Sequence, residues 1–157
     1  MVPHNSHYKN LSSVFSKNEC DIIRKIVYKK DGHKCSICGI INVCLEAHEE
    51  WKYNYHESVQ KLDSINALCF WCHQNKHLEH AFIMADDDKL DRETLLSHWS
   101  KINSRPLKSS RDYFIKSLTL WKLRNKFNWK IFDNKGEEIH KGIVFENILE
   151  LVCKKPD

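Results

Sequence analysis

The sequence predicts an α+β protein, and three observations carry that prediction. Two Cys-x-x-Cys pairs, Cys35/Cys38 and Cys69/Cys72, bracket a stretch with the two-residue period of a strand. Segments on either side carry apolar residues at helical spacing. Charge is unevenly spread: residues 101–130 hold nine lysines and arginines against one acid, Asp112, whereas in residues 49–93 acids outnumber bases ten to five. The expected organisation is an N-terminal arm over 1–19, a metal-bearing core over 20–82, and a helical, basic extension over 83–157 ending in a β-hairpin.

Taken in order, "NECDIIRKIVYKKDG" predicts a helix, with Ile22, Ile23, Ile26 and Val27 at helical spacing and Asp31-Gly32 closing it. "CSICG" is a knuckle. "NVCLEAH" alternates Val43, Leu45 and Ala47 against Cys44, Glu46 and His48, which predicts a strand. The polar, aromatic "EEWKYNYHESVQ" predicts a loop, and "CHQNKHLEHAFIM" a helix. "DDDKLDRETLLSHWSKIN" predicts another, with acids in its first turn, where the helix dipole favours them. Arg105-Pro106 breaks it. "SSRDYFIKSLTLWKLRNKF" follows with an apolar stripe at Phe114, Leu118 and Trp121, and Trp99 and Trp129 belong with Trp121 in the core of the extension. "WKIFDNKGEEIHKGIVF" predicts a hairpin turning at Asn134-Lys135-Gly136, then a short tail.

Composition excludes several classes. With 41% hydrophobic and 29% charged residues the chain is ordinary for a globular protein. No run approaches the roughly 18 apolar residues of a membrane span, so no membrane partner is expected. The opening "MVPHNSHYKN" lacks the apolar stretch of a secretory signal, which makes a cytoplasmic, reducing location the expectation. There, paired cysteines favour metal over disulfides.

Two residues between thiolates let both sulfurs reach one ion from a tight turn, and two such turns complete a tetrahedral shell for Zn²⁺. Cys35, Cys38, Cys69 and Cys72 are therefore assigned a structural zinc, with no open position for chemistry. A thioredoxin-like centre would need one such pair at a helix start, not two matched ones. Cys20, Cys44 and Cys153 lack partners at ligand spacing and read as small buried hydrophobes. His73 and His77 stand four apart, so one helix face would carry both imidazoles. His48, at the end of the strand, offers a third ligand if the zinc clamps the two segments together.

At these residues the chain resembles the HNH endonucleases and their ββα-metal fold. The family pattern is a strand ending in an acid or histidine followed by histidine, a loop containing asparagine, then a Leu-Cys-x-x-Cys-His run opening a helix. "LEAHE" and "SINALCFWCHQNKH" match it. The resemblance spans roughly residues 20–82, with a weaker likeness beyond, where "HWSKIN" and the aromatic-basic helix look like a bacterial and phage subgroup. It implies a catalytic metal (Mg²⁺, Mn²⁺, Ni²⁺ or Zn²⁺) on His48, His73 and His77, and a phosphodiester as substrate. Two positions depart from it. Glu49 stands where the family keeps its general-base histidine, and the orienting asparagine would fall near Ser64, with Asn66 two positions later. A second alignment slides His48 into the base position; Ala47 then occupies the ligand's place, and the ion would need a carboxylate such as Glu46 or Glu49.

The expected function is metal-dependent hydrolysis of DNA. Lys108, Arg111, Lys116, Lys122, Arg124, Lys126 and Lys130 would grip phosphate without sequence preference. Tyr53 and Tyr55 either stack on an exposed base or fold the loop, and Trp51 is assigned to packing. A lone site cuts one strand at a time, so cutting both would require a homodimer. The rival reading is a zinc-ribbon module that binds nucleic acid or protein without catalysis. A redox sensor built on Cys20, Cys44 or Cys153 is a more distant third.

Overall fold

A computed structural model describes residues 1–7, 11–139 and 145–153. In the arm, α1 (His4–His7) and α2 (Leu11–Val14) precede α3 (Lys17–Lys30). That helix starts where Ser16 and Glu19 form a reciprocal cap: Ser16 Oγ accepts from the Glu19 amide and the Glu19 carboxylate from the Ser16 amide. Ile23 and Val27 are buried, as their spacing predicts, whereas Ile22 is exposed. Gly32, at φ +65°, turns the chain toward the knuckle.

The strand after the knuckle is longer than predicted. β1 (Leu45–Asn54) runs through the residues expected to form a loop, and β2 (Val59–Cys69) returns antiparallel to it, pairing His48 with Asn66 and Leu45 with Cys69. A bulge between Glu50 and Trp51 leaves Asp63 without a partner, and Lys52 caps it with an ion pair of 2.6 Å. α4 (Phe70–Lys76) and α5 (Leu78–Asp86) follow, in place of the single helix expected over 72–84. The chain kinks at His77, whose φ −118°, ψ 52° is not helical. A hairpin leading into a helix, beside four gathered cysteines, is thus the centre of the fold.

Beyond it, α6 (Arg92–Ile102) is capped by Asp91, which accepts from the Thr94 amide, and α7 (Leu107–Arg124) starts directly after Pro106. The C-terminal hairpin is the main departure. The turn forms at Asp133–Glu137, but among the described residues its return arm contributes only a Phe132–Glu138 bridge; residues 140–144 lie outside the described ones. β3 (Lys130–Phe132) instead pairs parallel with β2, giving a mixed sheet of order β1-β2-β3. The expected tail is a helix, α8 (Phe145–Cys153), docked on α3.

Arm, core and extension share one apolar cluster: Leu11, Ile23, Val27, Leu62, Ile65, Ile131, Ile148 and Val152 are all buried in it. A second cluster joins Leu78, Leu95, Leu96 and Phe114 across α5, α6 and α7. Leu62, with no exposed area, lies in the first. Leu62→Ala is expected to cost about 2–5 kcal/mol, read as a lower urea midpoint at unchanged slope. No described helix is long and apolar enough to cross a membrane.

Candidate metal centres

The knuckle brings Cys35 and Cys38 together through a Lys34–Ile41 bridge and a 2.9 Å bond from the Gly39 amide to the Cys35 carbonyl. β2 ends on Cys69, and the first turn of α4 presents Cys72. One sulfur from each lies within 4.8 Å of the others, and Cys38 and Cys69 Sγ are 3.6 Å apart. Burial works to raise the Cys35 thiol, but amide donors from Cys38, Cys69 and Ile37 bring it down to about 7. Burial lifts Cys69 to about 11 and lifts Cys72 as well, reinforced by the neighbouring thiolates. Four thiols this close oppose one another's ionisation, and a dication removes the conflict. An all-sulfur set of four fits Zn²⁺, so the cluster could hold a structural zinc. Of the other cysteines, Cys20 is half-buried while Cys44 and Cys153 are exposed, contrary to the buried role expected of them. Neither packs in the core because Cys44 precedes the paired part of β1 and Cys153 ends α8.

On β1, alternation turns Glu46, His48 and Glu50 to the face that meets α4. One ring nitrogen each from His48, His73 and His77 lies within 4.8 Å of the others. His48 Nδ1 is 3.1 Å from His77 Nε2, and the ring centroids of His73 and His77 are 4.6 Å apart across the kink. His48 is 7% exposed; burial, then the charges His77, His73 and Lys76 would carry, push it down to about 2. His73 is lowered too, chiefly by burial, although Glu46 Oε2, 3.0 Å from its Nδ1, opposes the shift. His48 and His73 are thus neutral imidazoles, and both rings turn toward His77.

A cavity of about 400 Å³ opens beside them. Glu49 reaches it from the opposite face of β1, where its Oε1 accepts from the Leu11 amide at 2.9 Å; burial pushes this carboxyl up to about 7. Asn66 lies directly across the ladder from His48 and donates to Ser64 Oγ at 3.0 Å. Sequence reasoning missed Arg24, Gln74 and His80, which also line the cavity. His80 follows His77 at helical spacing and could have been found; Arg24 comes from α3, and nothing local signals it.

Of the basic residues, Lys108, Lys116, Lys122, Lys126 and Lys130 are exposed, and exposed Arg111 pairs with Glu93 at 2.9 Å. Arg124 turns inward. Its guanidinium lies 3.9 Å over the Tyr53 ring and donates to Tyr55 Oη and the Met1 carbonyl. Tyr53 and Tyr55 meet Trp129 edge-on at 5.0 and 5.4 Å, and Trp51 packs on the sheet cluster. Those aromatics fold the hairpin onto the extension.

Comparison with models of protein families, with curated proteins and with solved structures finds no match to this chain.

Proposed function

We propose that this protein is a metal-dependent nuclease of the HNH type, hydrolysing phosphodiester bonds in DNA. One observation supports the reading above the rest: three imidazoles from a strand and a kinked helix converge beside a cavity, next to four cysteines suited to zinc. His48, His73 and His77 would hold the catalytic cation, and the Glu46 carboxylate, 3.0 Å from His73 Nδ1, would add a compensating negative charge beside it. Bound there, a divalent cation supplies charge neutralisation on a phosphate oxygen and on the leaving 3′ oxygen. The cavity admits the scissile phosphate, and Arg24 offers it a permanent positive charge. Glu49, held near the pH of the cell, is matched to taking a proton from water. Asn66 braces the strand opposite His48. The exposed lysines of the extension hold the flanking phosphates.

A second reading, a zinc-ribbon module that binds without cutting, is favoured by one observation. Glu49 lies across β1 from His48, and its carboxylate is already taken by the Leu11 amide. Supercoiled plasmid with Mg²⁺, Mn²⁺, Ni²⁺ or Zn²⁺ separates the two. The expected result is metal-dependent nicking, slowed about 10²–10⁴-fold in Glu49→Ala, the contribution usual for a general base. Full-rate cutting by that variant moves the base role elsewhere, to His48 under the second alignment. Binding without cutting under every metal overturns the nuclease in favour of the module.

A further inference from the structure

His98 reaches from α6 toward the four cysteines, and its Nε2 lies 3.2 Å from Cys72 Sγ. The helix presents that ring for a packing reason. Leu95, Leu96 and Trp99 engage the helical cluster, which leaves His98 and Ile102, one turn apart, on the side toward the knuckle. Ile102 packs against the cluster of Cys35, Leu68, Cys69 and Cys72. The contact is therefore part of a seam between α4 and α6, not a stray approach of one side chain.

A metal-bound thiolate carries no proton, so at this separation only the imidazole can donate. Four thiolates around a dication leave a net negative charge, and each N–H aimed at a sulfur lowers its cost. Cys35 draws such donors from the backbone of its own knuckle and of β2's end. For Cys72 the donor comes from another element altogether.

We propose that His98, as the Nε2–H tautomer, donates a hydrogen bond to the zinc-bound thiolate of Cys72, and is a positioning residue that ties α6 to the metal centre. Zinc then organises three segments instead of two: the knuckle, the hairpin-to-α4 junction and the start of the basic extension. The proposal rests on the four-cysteine reading and is independent of whether the protein cuts nucleic acid.

The test is NMR of the full chain loaded with ¹¹³Cd²⁺, which reports through-bond contact to cysteine ligands. The expected result is scalar coupling from ¹¹³Cd to the Hε2 proton of His98, transmitted across the sulfur. His98→Phe keeps an aromatic ring and removes the donor; its zinc should pass to a competing chelator about 10–100-fold faster than from wild type. Absence of coupling in a chain with cadmium on four cysteines, together with unchanged zinc release, overturns the proposal and leaves the metal site standing. One-bond coupling from ¹¹³Cd to the His98 nitrogen overturns it in favour of direct ligation. A chain that takes up neither metal overturns both. Should His98→Phe fail to fold, the wild-type coupling decides alone.

Discussion

Stripping zinc from the four cysteines, by chelation or by the double change Cys69→Ser with Cys72→Ser, is expected to lower Tm by at least about 10–20 °C. The knuckle has little else to hold it. Ile37, Ile40, Ile41 and Val43, its apolar side chains, are all exposed, so they bury almost nothing that could replace the ion. Its ties to the sheet include one 2.8 Å bond from the Ser36 amide to the Ala67 carbonyl. A structural zinc contributes on the order of 10 kcal/mol to folding, comparable with the whole stability of an ordinary domain, about 5–15 kcal/mol. Even half of that, at roughly 2–4 °C per kcal/mol for a chain of this size, gives the stated fall. Calorimetry with and without chelator measures it, and readded zinc should restore the chelated protein but not the serine variant. An unchanged Tm would remove the cluster from the list of things that hold the fold. Since Cys72 and His73 are adjacent in α4, the same change should also loosen the histidine cluster.

The cysteine cluster was legible because ligand spacing is a local property: two residues between thiols report a turn, whatever surrounds it. The same holds for α3, α6 and α7, where apolar spacing, Ser16, Asp91 and Pro106 mark the helices and their ends. What could not be read depends on partners distant in sequence. β1 continues through Glu49–Asn54 because Ile65, Leu62 and Gln60 stand opposite, and the bulge at Asp63 shifts the phase of β2 so that Leu62 faces the same core as Ile65 and Ala67. β3 was expected to pair with the segment just after it, yet Val59, Gln60 and Lys61 offer a longer edge in parallel. The candidate site divides along the same line. His48, His73 and His77 do come together, although His77 arrives through a kink and not through an unbroken helix. The side to which Glu49 turns follows once β1 runs past His48 instead of stopping there: the face of Leu45 and Ala47 then continues to Glu49, which meets Leu11. Arg124 illustrates the limit for charge runs, since composition counts a cation without saying whether it faces water or a tyrosine ring.

His73→Ala and His77→Ala are each expected to reduce the metal content from two ions per chain to one, leaving the cysteine-bound ion in place, and to abolish cutting. Three imidazoles gathered beside a cavity form the ligand set that a single cation would need. His48 Nδ1 and His77 Nε2 share a hydrogen bond of 3.1 Å, which a cation held by all three rings would replace. Removing one ring leaves two ligands and an opening to the cavity. Loss of a residue that merely orients a ligand weakens metal binding about 10–100-fold, and loss of a ligand itself should exceed that. Stability should change little by comparison, because both side chains are only half-buried and neither belongs to an apolar cluster. Metal analysis after dialysis, plasmid nicking and a thermal melt, run on the same preparations, separate the effects. Two ions retained in both variants would mean that the second ion sits elsewhere. A single ion in the wild type would dismiss the histidine site, leaving the zinc-ribbon module as the better description of the chain.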